Sequence, residues 1–417
     1  MLVSRGAFIL VVSIIVGAQN LQEATTCRSV CPGTVSLGAR MRWFGFGFNA
    51  FGQIHGGDFA IDDDTTNEVK LITPTQLTCH VDGSCCKKTS GLRASWSRRA
   101  SLHSNGGRCL CLAGFKAASG IYGTGCTDAV IGESFLILAF PDRIESWDMD
   151  NDEKKTPVWS MELKTTSDSA GNNTPLNLPL ITDGYIAIKP PFYRPLSPHL
   201  KATRLAMGAE HSVLLSASGA VYTWGLGSHG QLGHGGLSSE EQPRVVEALW
   251  GMTMSCIATG GWHTVCISDG GDLYVWGWNE SGQLGLPSRA VRQAQQHQSS
   301  PAAAVTDSSS YTDTPEGEKD KEVFISIQAF PALLDITPSC EVTVVGCGSR
   351  HTAAVTSAGD LYTWGWGQYG QLGYEASCSD EPHRVEFFTK QQMRVVNVTC
   401  GTWNTFAAVV KEEVAAS

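Results

Sequence analysis

Charge is what this sequence has least of. Asp, Glu, Lys and Arg make up 17% of its 417 residues, too few to coat the exposed faces of a helical bundle. Positive charge is scarcer still: 30 Lys and Arg against 40 Asp and Glu leave a formal net charge of −10. Basic residues reach no further than short pairs such as Lys87-Lys88 and Arg98-Arg99. That argues against direct DNA binding, which needs a basic stripe to displace counterions from phosphates. Long apolar runs are missing too. Ala7–Val16 is too short to span a bilayer, so no membrane partner is expected. There is no Gly-Lys-Ser/Thr loop, no Gly-x-Ser-x-Gly elbow and no His-Glu-x-x-His. The 14 Cys do not form Cys-x-x-Cys pairs at zinc spacing and read as free thiols of a reducing compartment. No nucleophile, base and oxyanion site assemble from the sequence, and no catalytic residue, metal or cofactor is expected.

What is abundant is Gly, at 45 residues, and Trp, at 12. With low charge, this composition points to short strands joined by tight turns. Three segments repeat almost word for word. The first has Gly208-Ala-Glu-His211-Ser-Val, then Ser218-Gly219-Ala-Val-Tyr222-Thr-Trp224-Gly225, then Gly230-Gln231-Leu232-Gly233. The second has Gly260-Gly-Trp-His263-Thr-Val, Gly270-Gly271-Asp-Leu-Tyr274-Val-Trp276-Gly277 and Gly282-Gln283-Leu284-Gly285. The third has Gly348-Ser-Arg-His351-Thr-Ala, Ala358-Gly359-Asp-Leu-Tyr362-Thr-Trp364-Gly365 and Gly370-Gln371-Leu372-Gly373. His211 and His263 are 52 positions apart. His263 and His351 are 88 apart, and a polar insertion over 287–322 accounts for the excess. The insertion is rich in Gln, Ser and acidic residues without apolar periodicity, and is expected to be disordered. Each unit reads as strand, hairpin turn, strand, loop; one unit cannot bury both faces of its sheet, so neighbours must stack.

The pattern Gly-x-x-His-[Ser/Thr], [Leu/Val]-Tyr-x-Trp-Gly, Gly-Gln-Leu-Gly closely resembles the regulator-of-chromosome-condensation repeat. The resemblance implies an all-β protein, a single propeller of about seven four-stranded blades. Two half-units extend it. Trp43-Phe-Gly45-Phe-Gly47-Phe-Asn49 matches the second half of a unit, and Cys400-Gly401-Thr-Trp403-Asn404-Thr405 the first half. The ring therefore closes by pairing strands of about 43–54 with strands of about 400–410, which removes free sheet edges. Residues 41–410 form the propeller, with clear repeats at 208–285 and 348–410, degenerate blades at 95–200 and a tail at 411–417. Six units can be counted, including Ser95-Trp96-Ser97-Arg98 with Gly106–Gly114, and Phe135–Phe140 with Arg143–Trp147. Six to seven blades are expected, with any miscount falling in 115–205.

The first forty residues stand apart. Met1–Ala18 has the make-up of a secretory signal: Arg5, an apolar run and Val16-Gly17-Ala18 for cleavage. Against that, Met41 stands two residues before the first repeat strand, and Asn397-Val-Thr399 would become a glycan acceptor inside a packed strand. Residues 1–40 are read as an upstream extension or gene-model artefact. The chain is then placed in the nucleus or on chromosomes, with a cytoplasmic or a secreted propeller as the alternatives.

His211, His263 and His351 recur once per unit, as do Trp224, Trp276 and Trp364. Recurrence assigns them to the blade: the imidazoles to a bond with a neighbouring loop, the indoles to packing between blades. Trp278 and Trp366 follow two residues after a repeat Trp and are assigned to the same packing, with a place near a loop face as the alternative. Functional contacts are sought instead where the repeat decays. The strip Lys189-Pro190-Pro191-Phe192-Tyr193-Arg194-Pro195-Leu196-Ser197-Pro198 is either a rigid connector or a partner-contact strip built on Phe192, Tyr193 and Arg194. The resemblance implies a non-catalytic scaffold binding protein partners near chromatin. It further implies a link to histone lysine methylation and chromosome segregation beside a jumonji-type demethylase or hydroxylase, with histones as a further partner. Guanine-nucleotide exchange on a small GTPase is the alternative activity the resemblance offers.

Overall fold

The computed structural model describes residues 41–54, 69–77, 89–103, 109–115, 124–151, 156–163, 178–299, 323–336 and 340–411. The signal-like segment, the tail beyond Lys411 and most of the polar insertion lie outside the described residues.

Each repeat becomes an antiparallel sheet because apolar residues alternate along short strands and Gly supplies the hairpin turns. Blade five is β13–β16 (Ala202–Met207, His211–Ser216, Val221–Gly225, Glu240–Val245). Blade six is β17–β20 (Met254–Thr259, His263–Ser268, Leu273–Trp278, Ile327–Leu334). Blade seven is β21–β24 (Val342–Cys347, His351–Thr356, Leu361–Trp366, Cys378–Arg384). The degenerate half supplies blade two, β3–β5 (Thr89–Ala94, Arg98–His103, Cys109–Gly114), and blade three, β6–β9 (Asp128–Ile131, Phe135–Ala139, Arg143–Asp148, Trp159–Glu162). Blade four is a small sheet, β10–β12 (Leu180–Ile181, Gly184–Ile186, Tyr193–Pro195).

The ring closes as expected. β1 (Arg42–Phe48) lies between β2 (Lys70–Gln76) and β26 (Asn404–Lys411), and β25 (Met393–Cys400) completes the sheet. The β1–β26 register runs from Arg42 opposite Val409 to Gly47 opposite Asn404. Seven sheets therefore make a seven-bladed propeller, and the count of six was one short. The uncounted unit is blade four. Its strands are two or three residues long, and it carries neither the Gly-x-x-His turn nor a Trp-Gly strand end.

Among the described residues there is no single core. Apolar residues form one buried wedge at every junction between neighbouring blades, seven in all. Trp276 of blade six, for example, packs against Ala206, Val213 and Leu215 of blade five. Where the repeat is clear, backbone bonds tie the wedges together. Gly219, Gly271 and Gly359 sit in the second hairpin of their blades, and their carbonyls accept from the amides of Met254, Val342 and Val395 in the next blade.

The insertion also differs from expectation at its start. Residues Arg289–Ser299 form a helix, α1. Val291 is buried, the amide of Ser288 donates to Asp380 Oδ2 at 2.8 Å, and Arg292 Nε lies 3.8 Å from the same carboxylate. Blade seven thus holds the first turns, which local periodicity alone could not reveal. A second short helix, α2 (Glu386–Lys390), buries Phe388.

The Gly that ends the third strand of a blade has a steric role. Gly365 has φ +100°, and a Cβ there would meet the Arg350 carbonyl oxygen at 2.5 Å. Gly251 has a similar φ of +82° but open space around it. Gly365→Ala is expected to cost about 2–3 kcal/mol and Gly251→Ala about 1 kcal/mol. Urea midpoints of the two variants check this; equal losses would mean that φ alone matters.

Candidate docking face and the inter-blade histidines

The repeat histidines are joints. His211 Nε2 lies 2.9 Å from Thr264 Oγ1, His263 Nε2 3.0 Å from Thr352 Oγ1, and His351 Nε2 3.0 Å from Thr405 Oγ1. Each threonine belongs to the second strand of the next blade. Each hydroxyl donates its one proton back, to the carbonyls of Gln231, Gln283 and Gln371 at 2.7–2.8 Å. The hydroxyl must therefore accept from the imidazole, which fixes the Nε2–H tautomer. The partner is a strand threonine, not the loop that was expected. All three imidazoles are buried, and loss of solvation drives their pKa from 6.5 down to about 3. They are neutral joints.

Trp276 and Trp364 complete the joint. Their Nε1 groups donate to the same Gln231 and Gln283 carbonyls, at 2.9 and 3.0 Å. Both are fully buried, and Trp224 is buried against Tyr185 of blade four. All three repeat Trp thus pack between blades. In the degenerate half, charge replaces this joint. Arg93 of blade two pairs with buried Asp128 of blade three at 3.1 Å, and Asp128 also accepts from the amide of Leu178 ahead of blade four. Arg98 is buried and reaches Asp150 at 3.2 Å, so it adds nothing to a surface basic patch.

The Pro-rich strip is divided. Phe192 is 6% exposed and packs against Phe135 and Trp159 of blade three, so it is core and not a contact residue. Tyr193 is half-buried and donates to the Asp183 carbonyl at 3.1 Å. Arg194 is exposed. Tyr193–Pro195 of the strip forms strand β12 of blade four.

A docking surface lies elsewhere. One backbone bond recurs in all seven blades, from the amide just after or at the end of the third strand to the carbonyl of the first turn. The pairs are Phe48–Trp403, Phe115–Ser97, Met149–Ser134, Leu196–Asp183, Leu226–Glu210, Trp278–Trp262 and Trp366–Arg350, at 2.8–3.0 Å. These positions share one face of the ring. Every residue on the amide side is apolar, and four of the seven are aromatic.

The rings are continuous over much of the face. Trp278 meets Trp262 at 5.5 Å and His229 at 5.5 Å. Trp366 lies 4.6 Å from Trp403 and 5.1 Å from Tyr369; Tyr369 lies 4.9 Å from Phe48; Phe51 links Trp96 to Phe115. Phe115 and Leu226 are more than 40% exposed, and Trp96, Trp262, Trp278, Trp366 and Tyr369 are half-buried. Glu210, Glu280, Asp183 and Asp150 are exposed among them. Arg350 lies with its guanidinium carbon 4.7 Å from the Trp278 ring centroid. Burial lowers its pKa, and the nearby charge of Glu280 opposes the fall.

Trp278 and Trp366 were expected to pack between blades. The structure puts them on the face because Gly277 and Gly365, at φ +110° and +100°, interrupt the two-residue alternation. The alternative assignment of these two Trp to a loop face holds, but the continuous aromatic face was not read from the sequence. The signal was there in the apolar residue that follows each Trp-Gly or its equivalent. Among the described residues, no group of three or more His, Cys, Asp and Glu is placed to hold a metal ion.

Comparison with known proteins agrees with this architecture. The regulator of chromosome condensation (RCC1) repeat pattern matches residues 218–267, 270–310 and 358–408, and a second version of it matches 202–231, 255–283 and 342–371. The human RCC1 domain-containing protein 1 is 42% identical over 384 residues, covering 89% of this chain and 97% of its own length. The chain belongs to the RCC1 repeat family. The mouse RCC1 domain-containing protein 1 is 38% identical with the same coverage. The solved structure of Prp20p from Saccharomyces cerevisiae superposes with a TM-score of 0.64 over 91% of this chain and 93% of that one. At 15% identity it shows a shared RCC1 fold.

Proposed function

We propose that this RCC1-family chain is a non-catalytic scaffold that binds protein partners on its aromatic face. The observation that carries this is the apolar residue at each of seven equivalent positions, five of them at least partly exposed (Phe115, Leu196, Leu226, Trp278 and Trp366; Phe48 and Met149 are buried), interleaved with half-buried Trp and Tyr. Aromatic residues and Arg dominate interface energies, and a patch of this kind on a monomer marks a contact surface. We place the protein in the nucleus near chromatin, beside a jumonji-type lysine demethylase or hydroxylase, with a role in histone methylation and chromosome segregation. Support for the chromatin placement is membership of the RCC1 family together with the fold of Prp20p, a protein studied for its binding to Gsp1p and histones; the jumonji, methylation and segregation links rest on the repeat resemblance alone.

The test is affinity capture from nuclear extract with the full chain and with a Trp262→Ala, Phe115→Ala variant. Chromatin proteins and a jumonji enzyme are expected with the parent chain and depleted at least about tenfold with the variant. Capture that ignores the variant moves the docking site off this face. Capture without any chromatin protein removes the nuclear placement.

A second reading, guanine-nucleotide exchange on a small GTPase, is favoured by the shared fold with Prp20p and its binding to Gsp1p. A nucleotide-release assay over a panel of small GTPases decides it. Acceleration of any of them would make exchange the activity.

A further inference from the structure

Arg350 is the feature of this face that its own fold does not use up. Arg93 and Arg98, buried elsewhere in the ring, each have a carboxylate within 3.2 Å. Arg350 has no carboxylate within ion-pair distance among the described residues, and its buried Nε has no hydrogen-bond partner there. Its plane is nevertheless held in place. The guanidinium lies over Trp278, which is itself fixed edge-on by Trp262 at 86° and by His229. The Arg350 carbonyl is tied to the amide of Trp366, so the backbone is fixed as well. A half-buried, oriented and unpaired guanidinium costs stability in the free protein and recovers it only in a complex.

Resting on the docking role above, we propose that Arg350 anchors the partner by receiving one side-chain carboxylate, while an apolar side chain next to that acid packs on Trp278 and Trp262. The fork of a guanidinium matches a planar carboxylate with two parallel bonds. A phosphate is the poorer fit. Glu280 is exposed beside the site and the chain carries a net charge of −10, so a dianion meets more repulsion than a single carboxylate. A basic segment is excluded from this spot by Arg350 itself, although the acidic rim attracts one at longer range.

The test uses the full chain as bait for a displayed library of random linear peptides. Selected peptides should share an Asp or Glu adjacent to an aromatic or large aliphatic residue. For one such peptide, Arg350→Ala should weaken binding by about 30-fold or more, and Arg350→Lys should weaken it too, because the charge remains but the fork does not. Changing the peptide acid to its amide should cost as much in the parent chain and almost nothing in Arg350→Ala. Thermal melts confirm that the variants stay folded. Peptides that bind through Trp262 yet ignore Arg350→Ala overturn the anchor and leave the docking face standing. Peptides that ignore both substitutions, or no binder at all, count against the face and the anchor together. A basic consensus, or a phosphoserine peptide binding tenfold tighter than its Asp counterpart, overturns the carboxylate.

Discussion

Acidification is expected to unfold this protein steeply, well before most carboxylates protonate. His211, His263 and His351 are neutral joints whose pKa is held at about 3 in the folded chain. In the unfolded chain each returns to about 6.5. Between these values the unfolded chain binds the extra protons, so the stability these residues leave intact above pH 6.5 is lost as the pH falls toward 3. Each histidine costs about 1.4 kcal/mol per pH unit in that window, and three together about 4 kcal/mol per unit. A total stability of about 5–15 kcal/mol is then exhausted within a few units. Denaturant midpoints read by Trp fluorescence should be flat from pH 8 to 7 and drop sharply from 6 to 4.5. Asn404 occupies the histidine's place in the closing blade and donates to the Phe48 carbonyl at 3.4 Å, which makes Asn a reasonable replacement elsewhere. His263→Asn should remove about a third of the pH slope. A triple Asn variant with the parent slope would show that other groups set the acid limit.

The second large effect is at Trp364. It is fully buried in the wedge between blades six and seven, and its Nε1 holds the Gln283 carbonyl that also receives Thr352. Trp364→Ala should cost about 3–5 kcal/mol, a large part of the whole stability. Trp364→Phe should cost markedly less, about 1–2 kcal/mol. The closing blade shows why. Thr352 pairs with Trp364 in register, and Thr405 pairs with Phe46 in the same way. Phe46 is fully buried there without an indole N–H. Calorimetric or denaturant unfolding of the two variants checks the order; equal losses would assign the effect to the hydrogen bond alone.

The clear repeats were legible because three copies of one pattern fix both the hairpins and the stacking. His211, His263 and His351 could be assigned to the blade by recurrence, and their identical bonds to a neighbouring threonine agree with that. Blade four was not legible. Its strands are stubs, and what identifies it is a backbone bond, Leu196 to Asp183, that leaves no mark in side-chain chemistry. The docking face was hidden for a related reason. Alternation along a strand places Trp276 and Trp278 on one side, and the positive φ of Gly277 undoes that by one residue. Phe192 looked like a contact because it sits in a Pro-rich strip, but only the fold brings Phe135 and Trp159 onto it. The helix at 289–299 depended on Asp380, some ninety positions further on. For Phe192 and the helix the missing information was long-range; for Trp278 it was local, in the φ of the neighbouring Gly277.

The composite closing blade has a consequence for how the protein is made. β1 is synthesised well before its partner β26: Phe48 and Asn404, which share a hydrogen bond, are 356 positions apart. At about 5–20 residues per second, roughly 20 to 70 seconds separate the two strands. Throughout that time β1 has only β2 beside it, and the edge that β26 will cover stays open. The nascent chain must be shielded until β26 arrives, and a premature stop shortly before residue 404 would leave not a smaller ring but an open one.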